Sequence, residues 1–205
     1  MSKLLIALLL LLSSLCASAQ GPPSLENFTS SDGTFQFMYP ENYQLLVGER
    51  ILRATQGRPR GMPVCDFSTA LVCIVYPIQA DDGKLEAAGF SVGSMPGAAS
   101  VAECLAGVDP ATATRGAPLH SSLVRINGTD FLFARTKKSA DGHMQAGYTY
   151  RTYQKDRCYE LRIAVSLSDE ANPQHQTDSN SLGDPLADSA RESLKLILGS
   201  FFFKE

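Results

Sequence analysis

Apolar and polar residues alternate in several short stretches of this chain, most clearly between Leu119 and Val165. Leu119–Ile126 reads as a strand, Asn127-Gly128 as a two-residue turn, and Thr129–Thr136 as the returning strand. Both central residues of such a turn take positive φ, which Asn and Gly tolerate best. Asp141-Gly142 predicts a second turn, Met144–Tyr153 a third strand, Lys155-Asp156-Arg157 a third turn and Cys158–Val165 a fourth strand. In that last strand Tyr159, Leu161, Ile163 and Val165 share one face, opposite Cys158, Arg162 and Ala164, so one face is core. The expectation is a four-stranded antiparallel meander.

Upstream, Thr34–Tyr39 alternates with Phe35, Phe37 and Tyr39 on one face, Pro40 ends it, and Tyr43–Val47 reads as a further short strand. Gly48–Pro63 holds no period and reads as a long loop. Leu71–Tyr76 is an apolar, β-branched strand, and Glu86–Met95 is a strand rich in small residues. Ser100-Val101-Ala102-Glu103 fits a capping box opening a short helix that carries Cys104. Ser168–Gly183 is polar and loop-like. Asp184-Pro185 then supplies an N-cap followed by proline at the first helical position. Leu186, Ala190, Leu194, Ile197 and Leu198 recur at helical spacing, with Gly199 closing the helix and Phe201-Phe202-Phe203 as a last strand or buried tail. The fold class is α+β, an antiparallel sheet packed against a C-terminal helix and a short second helix.

The first residues change the picture of where the protein works. Lys3, the apolar run Leu4–Leu12 and the small-x-small end Ala17-Ser18-Ala19 match a secretory signal peptide over residues 1–19, cleaved after Ala19. The run is too short to cross a hydrocarbon core, which needs roughly 20 residues, and the mature chain has no transmembrane span. A lipoprotein anchored through Cys16 is the rival, disfavoured because the large Leu15 precedes that cysteine. Residues 20–30 are then a flexible N-terminal segment and 31–205 a single domain, secreted or periplasmic.

Composition agrees with a folded exported domain. The chain has 205 residues, 18 Lys+Arg against 21 Asp+Glu, a formal charge of −3 and 44% hydrophobic residues, which excludes a disordered acidic chain and a basic nucleic-acid binder. Beyond Cys16, Cys65, Cys73, Cys104 and Cys158 form an even set in an oxidising compartment, where disulfides are the default. Four cysteines allow three connectivities, of which Cys65–Cys73, closing a short loop, and Cys104–Cys158, tying helix to sheet, are favoured. No C-x-x-C pair or finger-like His spacing supports a metal.

Few residues promise chemistry. Arg50, Arg53, Arg58 and Arg60 lie in a loop with one nearby acid, Glu49. Four guanidinium groups can grip carboxylate or phosphate of a partner, although a solvated loop is the plainer reading, and Lys137-Lys138 fits either. Asp178–Asp184 resembles a calcium loop but has Leu182 where a donor belongs and Ser189 in place of the bidentate Glu, so helix capping by Asp184 explains it better. His120, His143 and His175 show no common spacing and read as incidental. The tyrosines along the strands read as sheet packing rather than a cleft. The sequons Asn27-Phe28-Thr29 and Asn127-Gly128-Thr129 matter only in a eukaryotic secretory pathway. No G-x-S-x-G, H-E-x-x-H or phosphate-loop pattern occurs, so neither a catalytic set nor a cofactor is expected.

Three stretches carry a family resemblance. Ser31–Tyr43, reading S-D-G-T-F-Q-F-M-Y-P-E-N-Y, resembles the F-x-F-x-Y-P-x-x-Y/W opening of the PsbP-like superfamily. Leu194–Phe201 is similar to its closing helix and I-L-x-S-F strand, and Ile126-Asn127-Gly128 with Cys158-Tyr159-Glu160-Leu161 fits its central sheet. The superfamily includes photosystem accessory proteins, a Ran-binding import factor and many exported bacterial proteins. The resemblance implies a PsbP-like α+β sandwich with a binding or assembly role, and it supplies no catalytic residues. The expected function is a non-enzymatic exported domain that binds a protein partner or envelope component. The alternative is a small-molecule or lipid carrier with a pocket between sheet and C-terminal helix, and a hydrolase comes last.

Overall fold

Hairpin turns form where the residues tolerate them, and they set the order of the strands. The computed structural model describes residues 24–51, 64–65, 69–78, 84–106, 122–140, 142–168 and 184–204. Asn127 and Gly128 have φ of 45° and 86°, and Lys155 and Asp156 have 49° and 59°. The first turn joins β6 (Ser122–Ile126) to β7 (Thr129–Ala140); the second joins β8 (His143–Gln154) to β9 (Arg157–Ser168). Gly142, at φ 76°, lies in the turn between β7 and β8.

The four-stranded meander is part of a larger sheet. β3 (Gln44–Val47), β4 (Ala70–Val75) and β5 (Leu85–Met95) extend it, giving the antiparallel order β3-β4-β5-β9-β8-β7-β6. β1 (Leu25–Thr29), β2 (Phe35–Pro40) and β10 (Phe202–Phe203) make a separate three-stranded sheet, β1-β2-β10. The segment expected to be flexible, 20–30, therefore contains a strand from Leu25 onward, held by antiparallel pairing of Leu25–Thr29 with Gln36–Pro40. Residues 1–19, with the expected signal peptide, lie outside the described residues.

The helix α1 (Val101–Ala106) and the C-terminal α2 (Pro185–Ser200) pack against these sheets. At α1 the Ser100 hydroxyl accepts from Glu103 N at 3.2 Å, while the Glu103 carboxylate reaches back to Ala99 N at 2.7 Å. Asp184 caps α2 by accepting from Leu186 N and Ala187 N at 2.9 and 3.1 Å. Two expectations for α2 are corrected. Leu186 stays 42% exposed and Ala187 is buried instead, because the helix sinks its small residue where it meets the sheets. Gly199 lies inside the helix, which runs to Ser200 and ends at Phe201 in extended conformation.

The core lies between the large sheet on one side and α2 with the small sheet on the other. Phe90 and Val92 of β5, Leu161, Ile163 and Val165 of β9, and Phe131 of β7 meet Phe35 and Phe37 of β2 and Leu194 and Ile197 of α2. Each such side chain, fully buried, contributes about 1.5–3 kcal/mol. Aromatic rings interlock at the centre, Phe37 edge-on to Phe90 at 5.4 Å and Tyr159 edge-on to Phe35 at 6.1 Å.

Candidate functional site

The other face of the large sheet carries the unusual chemistry. Because side chains alternate, the β9 residues that are not core, Cys158, Glu160, Arg162, Ala164 and Ser166, point there with their cross-strand partners. Register places Arg151 opposite Glu160, Thr149 opposite Arg162, Gly147 opposite Ala164, and Gln145 opposite Ser166. On β5, Gly93, Ser91, Gly89 and Ala87 continue these same rows. Thr149, Gln145, Ser166 and Ser91 are all buried, so this polar face is largely covered.

Three interactions order the face. Arg151 grips Glu160 from the next strand, with Nε and Nη2 each 2.6 Å from Oε2. Arg162 donates from Nη2 to Gln145 Oε1 at 2.5 Å, reaching across the row of Gly147 and Ala164. Gly147 keeps that row low, and a Cβ there would stand 1.9 Å from the Ile163 carbonyl oxygen. Arg151 Nη1 and Arg162 Nε are buried and have no hydrogen-bond partner among the described residues.

At the far end Glu86 receives two donors. A register shift between Leu85 and Ala87 leaves Glu86 as the extra residue of β5, the device by which a bulge re-aims a side chain. Its carboxylate lies 2.8 and 2.9 Å from His143 Nδ1 and accepts from Ser166 Oγ at 3.2 Å. Serine, histidine and acid thus meet, yet serine and histidine both contact the carboxylate. A hydrolytic relay needs the serine hydroxyl bound to the imidazole, and Ser166 donates to the acid instead, with no exposed surface.

The arginine segment begins and ends on this side of the sheet. Ile51, Val64 and Cys65 are buried in one cluster with Leu46, Cys73, Val75, Ala87 and Ala164. Arg50 is exposed beside Ile51, while Arg53, Arg58 and Arg60 lie outside the described residues. Cys65 is joined to Cys73 with Cα atoms 6.1 Å apart, and Cys104 to Cys158 at 5.4 Å, the latter binding α1 over this same face.

The remaining candidates separate. Lys137 is exposed on β7. His120, His175 and all of the calcium-like loop except Asp184 lie outside the described residues, and Asp184 is spent on capping. Among the described residues no cluster of three His, Cys, Asp or Glu could hold a metal, and no helix is long and apolar enough to cross a membrane. Burial pushes Tyr150 up to about 12, with Tyr148 and Glu192 adding to it. Sequence reasoning missed Glu86, Gln145, Arg151, Glu160 and Ser166, and also the use of Arg162. The polar residues at alternate positions of Cys158–Ser166 were the signal available.

No family model matches the chain, and no curated protein matches it in sequence. Solved structures do. The chain matches a Bacteroides thetaiotaomicron protein at 11% identity and TM-score 0.47, over 88% of its own length and 48% of that protein's, about half. It matches LpqN of Mycobacterium tuberculosis, which is involved in cell envelope biogenesis, at 10% identity and TM-score 0.48, over 89% of this chain and 91% of that one. It matches the cyanobacterial PsbP, CyanoP, of Synechocystis at 11% identity and TM-score 0.46, over 92% and 97%. The fold class itself is α+β as expected, with antiparallel sheets and a C-terminal helix.

Proposed function

We propose that this chain is an exported, non-enzymatic domain that binds an acidic protein or envelope component through the Arg50–Arg60 segment and the sheet face on which that segment is anchored. The observation that carries this reading is the anchoring itself: Ile51 and Val64, the residues at either end of 52–63, are buried in one cluster on the face opposite α2. A basic segment fixed at both ends loses less conformational freedom when a partner binds it. The two disulfides fit an oxidising compartment and so support export.

The carrier reading has less support. Between the sheet and α2, the space it needs holds Phe35, Phe37, Phe90, Leu161, Ile163 and Leu194, all essentially unexposed. The hydrolase reading is not favoured by the contact order of Ser166, Glu86 and His143.

Affinity capture from envelope extract tests the proposal, comparing the wild type with a variant carrying Arg50→Ala, Arg53→Ala, Arg58→Ala and Arg60→Ala. A captured species that weakens with added salt and disappears with the variant is expected, because exposed charge pairs are screened. Capture that is unchanged by the four substitutions overturns it.

A further inference from the structure

We infer that the α2 side of β6, β7 and β8 docks an extended acidic segment of a partner protein, one that carries an aromatic or branched apolar side chain between its carboxylates. The surface is distinct from the one proposed above, because the Arg50–Arg60 segment is anchored on the opposite face of the large sheet.

Register and direct contacts assemble this surface. Tyr148 and Tyr150 of β8 are cross-strand partners of Arg135 and Phe133 of β7, and Ser122 of β6 stands opposite Phe133. Tyr150 also pairs with the core residue Leu161 of β9, so the row faces α2. The Phe133 ring lies 5.5 Å from that of Tyr148 and 5.2 Å from that of Tyr150, tilted against both. One side of α2 brings two cations onto Tyr148, with Lys195 Nζ 5.2 Å and the Arg191 guanidinium carbon 6.0 Å from the ring centroid. Both are within cation–π reach.

Burial separates the supports from the contact residues. Tyr150 and Arg191 are buried, and Arg191 is tied to Asp188 at 2.8 Å. Phe133 and Tyr148 are half-buried, while Arg135 and Ser122 are exposed. Ser122 is too small to cover Phe133, which leaves that ring open toward the edge of the sheet. Lys195 holds Glu192 at 2.8 Å, but its side chain is 37% exposed and an ammonium has three donors. Such a surface pair is weak and leaves the lysine open to a second carboxylate. A shallow aromatic shelf with a basic border has the composition of a protein interface, whereas a small ligand needs an enclosing cleft.

Charge and the sheet edge select the occupant. Arg135, Arg191 and Lys195 outnumber Asp188 and Glu192 here, in a chain whose formal charge is −3. The local charge is opposite in sign to that of the whole chain, and an acidic segment complements it. β6 ends the large sheet, and among the described residues no strand pairs with its outer side. Leu123 of that strand is 74% exposed, and its one charge, Arg125, is paired with Asp130 at 3.1 Å. The edge therefore lacks the free charge or proline that discourages strand addition. A segment laid along β6 meets the cations one after another, so they need not converge on a single group. A second copy paired here would offer Ser122–Ile126 again, which contains Arg125 and no acid.

The test is a nuclear magnetic resonance titration of the full chain with an end-blocked peptide of alternating glutamate and phenylalanine. Control peptides carry alanine for phenylalanine, or lysine for glutamate. Saturable shifts at the amides of Leu123 and Arg125 and the rings of Phe133 and Tyr148 are expected, weakening with added salt. Affinity should fall about tenfold or more with either control peptide and with Arg135→Glu, the effect of losing one anchor. Lys195→Glu, on the other element, should act in the same direction, and thermal melts check that both variants fold. The variant with Arg50, Arg53, Arg58 and Arg60 all changed to Ala should bind the peptide as the wild type does, so the two surfaces stand or fall separately. Shifts that survive both charge reversals, or that vanish in the four-alanine variant, overturn the docking surface. So does a response to phosphatidylglycerol vesicles with none to the peptide, which indicates a membrane, or a concentration-dependent shift of Leu123 and Arg125 without peptide, which indicates a second copy.

Discussion

The side-chain amide of Asn127 donates to the carbonyl oxygen of Phe201 at 2.8 Å, and its other hydrogen goes to the Gly199 carbonyl at 2.8 Å. One residue therefore does two jobs, turning the β6–β7 hairpin at φ 45° and holding the end of α2. Asn127→Gly keeps the turn, since Gly takes positive φ freely, and removes both bonds. It should destabilise the protein by about 1–3 kcal/mol, two hydrogen bonds at their usual net worth. Urea unfolding reads this directly, and an unchanged midpoint would show that the tail is held by Phe201 packing alone.

The hairpin was legible in the sequence, but the clasp was not. Asn-Gly announces its own backbone conformation, whereas the carbonyls it binds lie more than seventy residues further along the chain. The same division holds across the molecule. Alternation in Cys158–Val165 identified the core face, because Tyr159, Leu161, Ile163 and Val165 are long apolar side chains. The burial of the opposite face was hidden, because its cover comes from Ile51, Val64, Cys65 and Cys104, distant in sequence and without periodicity. β1 was missed for a related reason: only Phe28 of Leu25–Thr29 is an apolar residue on its inward side, so the strand exists through β2 rather than through its own pattern. The polar face was missed because Glu86 reaches it only through a bulge, which spacing does not predict.

Glycine substitutions separate close approach from mere presence. At Gly147 an added Cβ would meet the Ile163 carbonyl oxygen at 1.9 Å and Ala164 Cα at 3.0 Å, both backbone atoms in the middle of the sheet. Gly147→Ala should therefore cost roughly 3 kcal/mol or more, at or beyond the upper end of ordinary overpacking. Gly199 sits in α2 with nothing within 4 Å of the same position. Gly199→Ala should stabilise by up to about 1 kcal/mol through helix propensity and a stiffer unfolded chain. Opposite signs in thermal melts of the two variants are expected; equal effects would mean that β8 and β9 separate readily at Gly147.

The Cys104–Cys158 bridge closes a loop of sequence separation 54 and is the covalent tie between α1 and β9. In the chain-entropy account such a loop is worth about 4 kcal/mol, and the separation of 8 between Cys65 and Cys73 gives less. Replacing Cys104 and Cys158 together by Ala should lower the urea midpoint more than replacing Cys65 and Cys73. A larger loss for the shorter loop would mean that native-state packing around Val64, rather than the unfolded chain, sets the effect.

Acid sensitivity at the β1–β2 turn follows from Asp32. Ser30 Oγ donates to its Oδ1 at 2.7 Å, Thr34 N donates to the same oxygen at 3.1 Å, and Arg157 Nη1 lies 3.3 Å from Oδ2. The hydrogen bonds from Ser30 and Thr34, more than the Arg157 charge, hold the carboxyl down from its ordinary 3.8 to about 2. A folded pKa below the unfolded one means that the stabilisation is present above about pH 4 and is lost as pH falls toward 2. Because the side chain is 45% exposed, solvent screening limits the effect to below about 1 kcal/mol. Urea midpoints between pH 5 and pH 2 should show the wild type ahead of Asp32→Asn at the upper end, with the gap narrowing toward the lower. A gap that stays constant over this range would mean that the carboxylate is not held in its charged form by Ser30 and Thr34, and that the turn owes its geometry to Gly33, at φ 70°, instead.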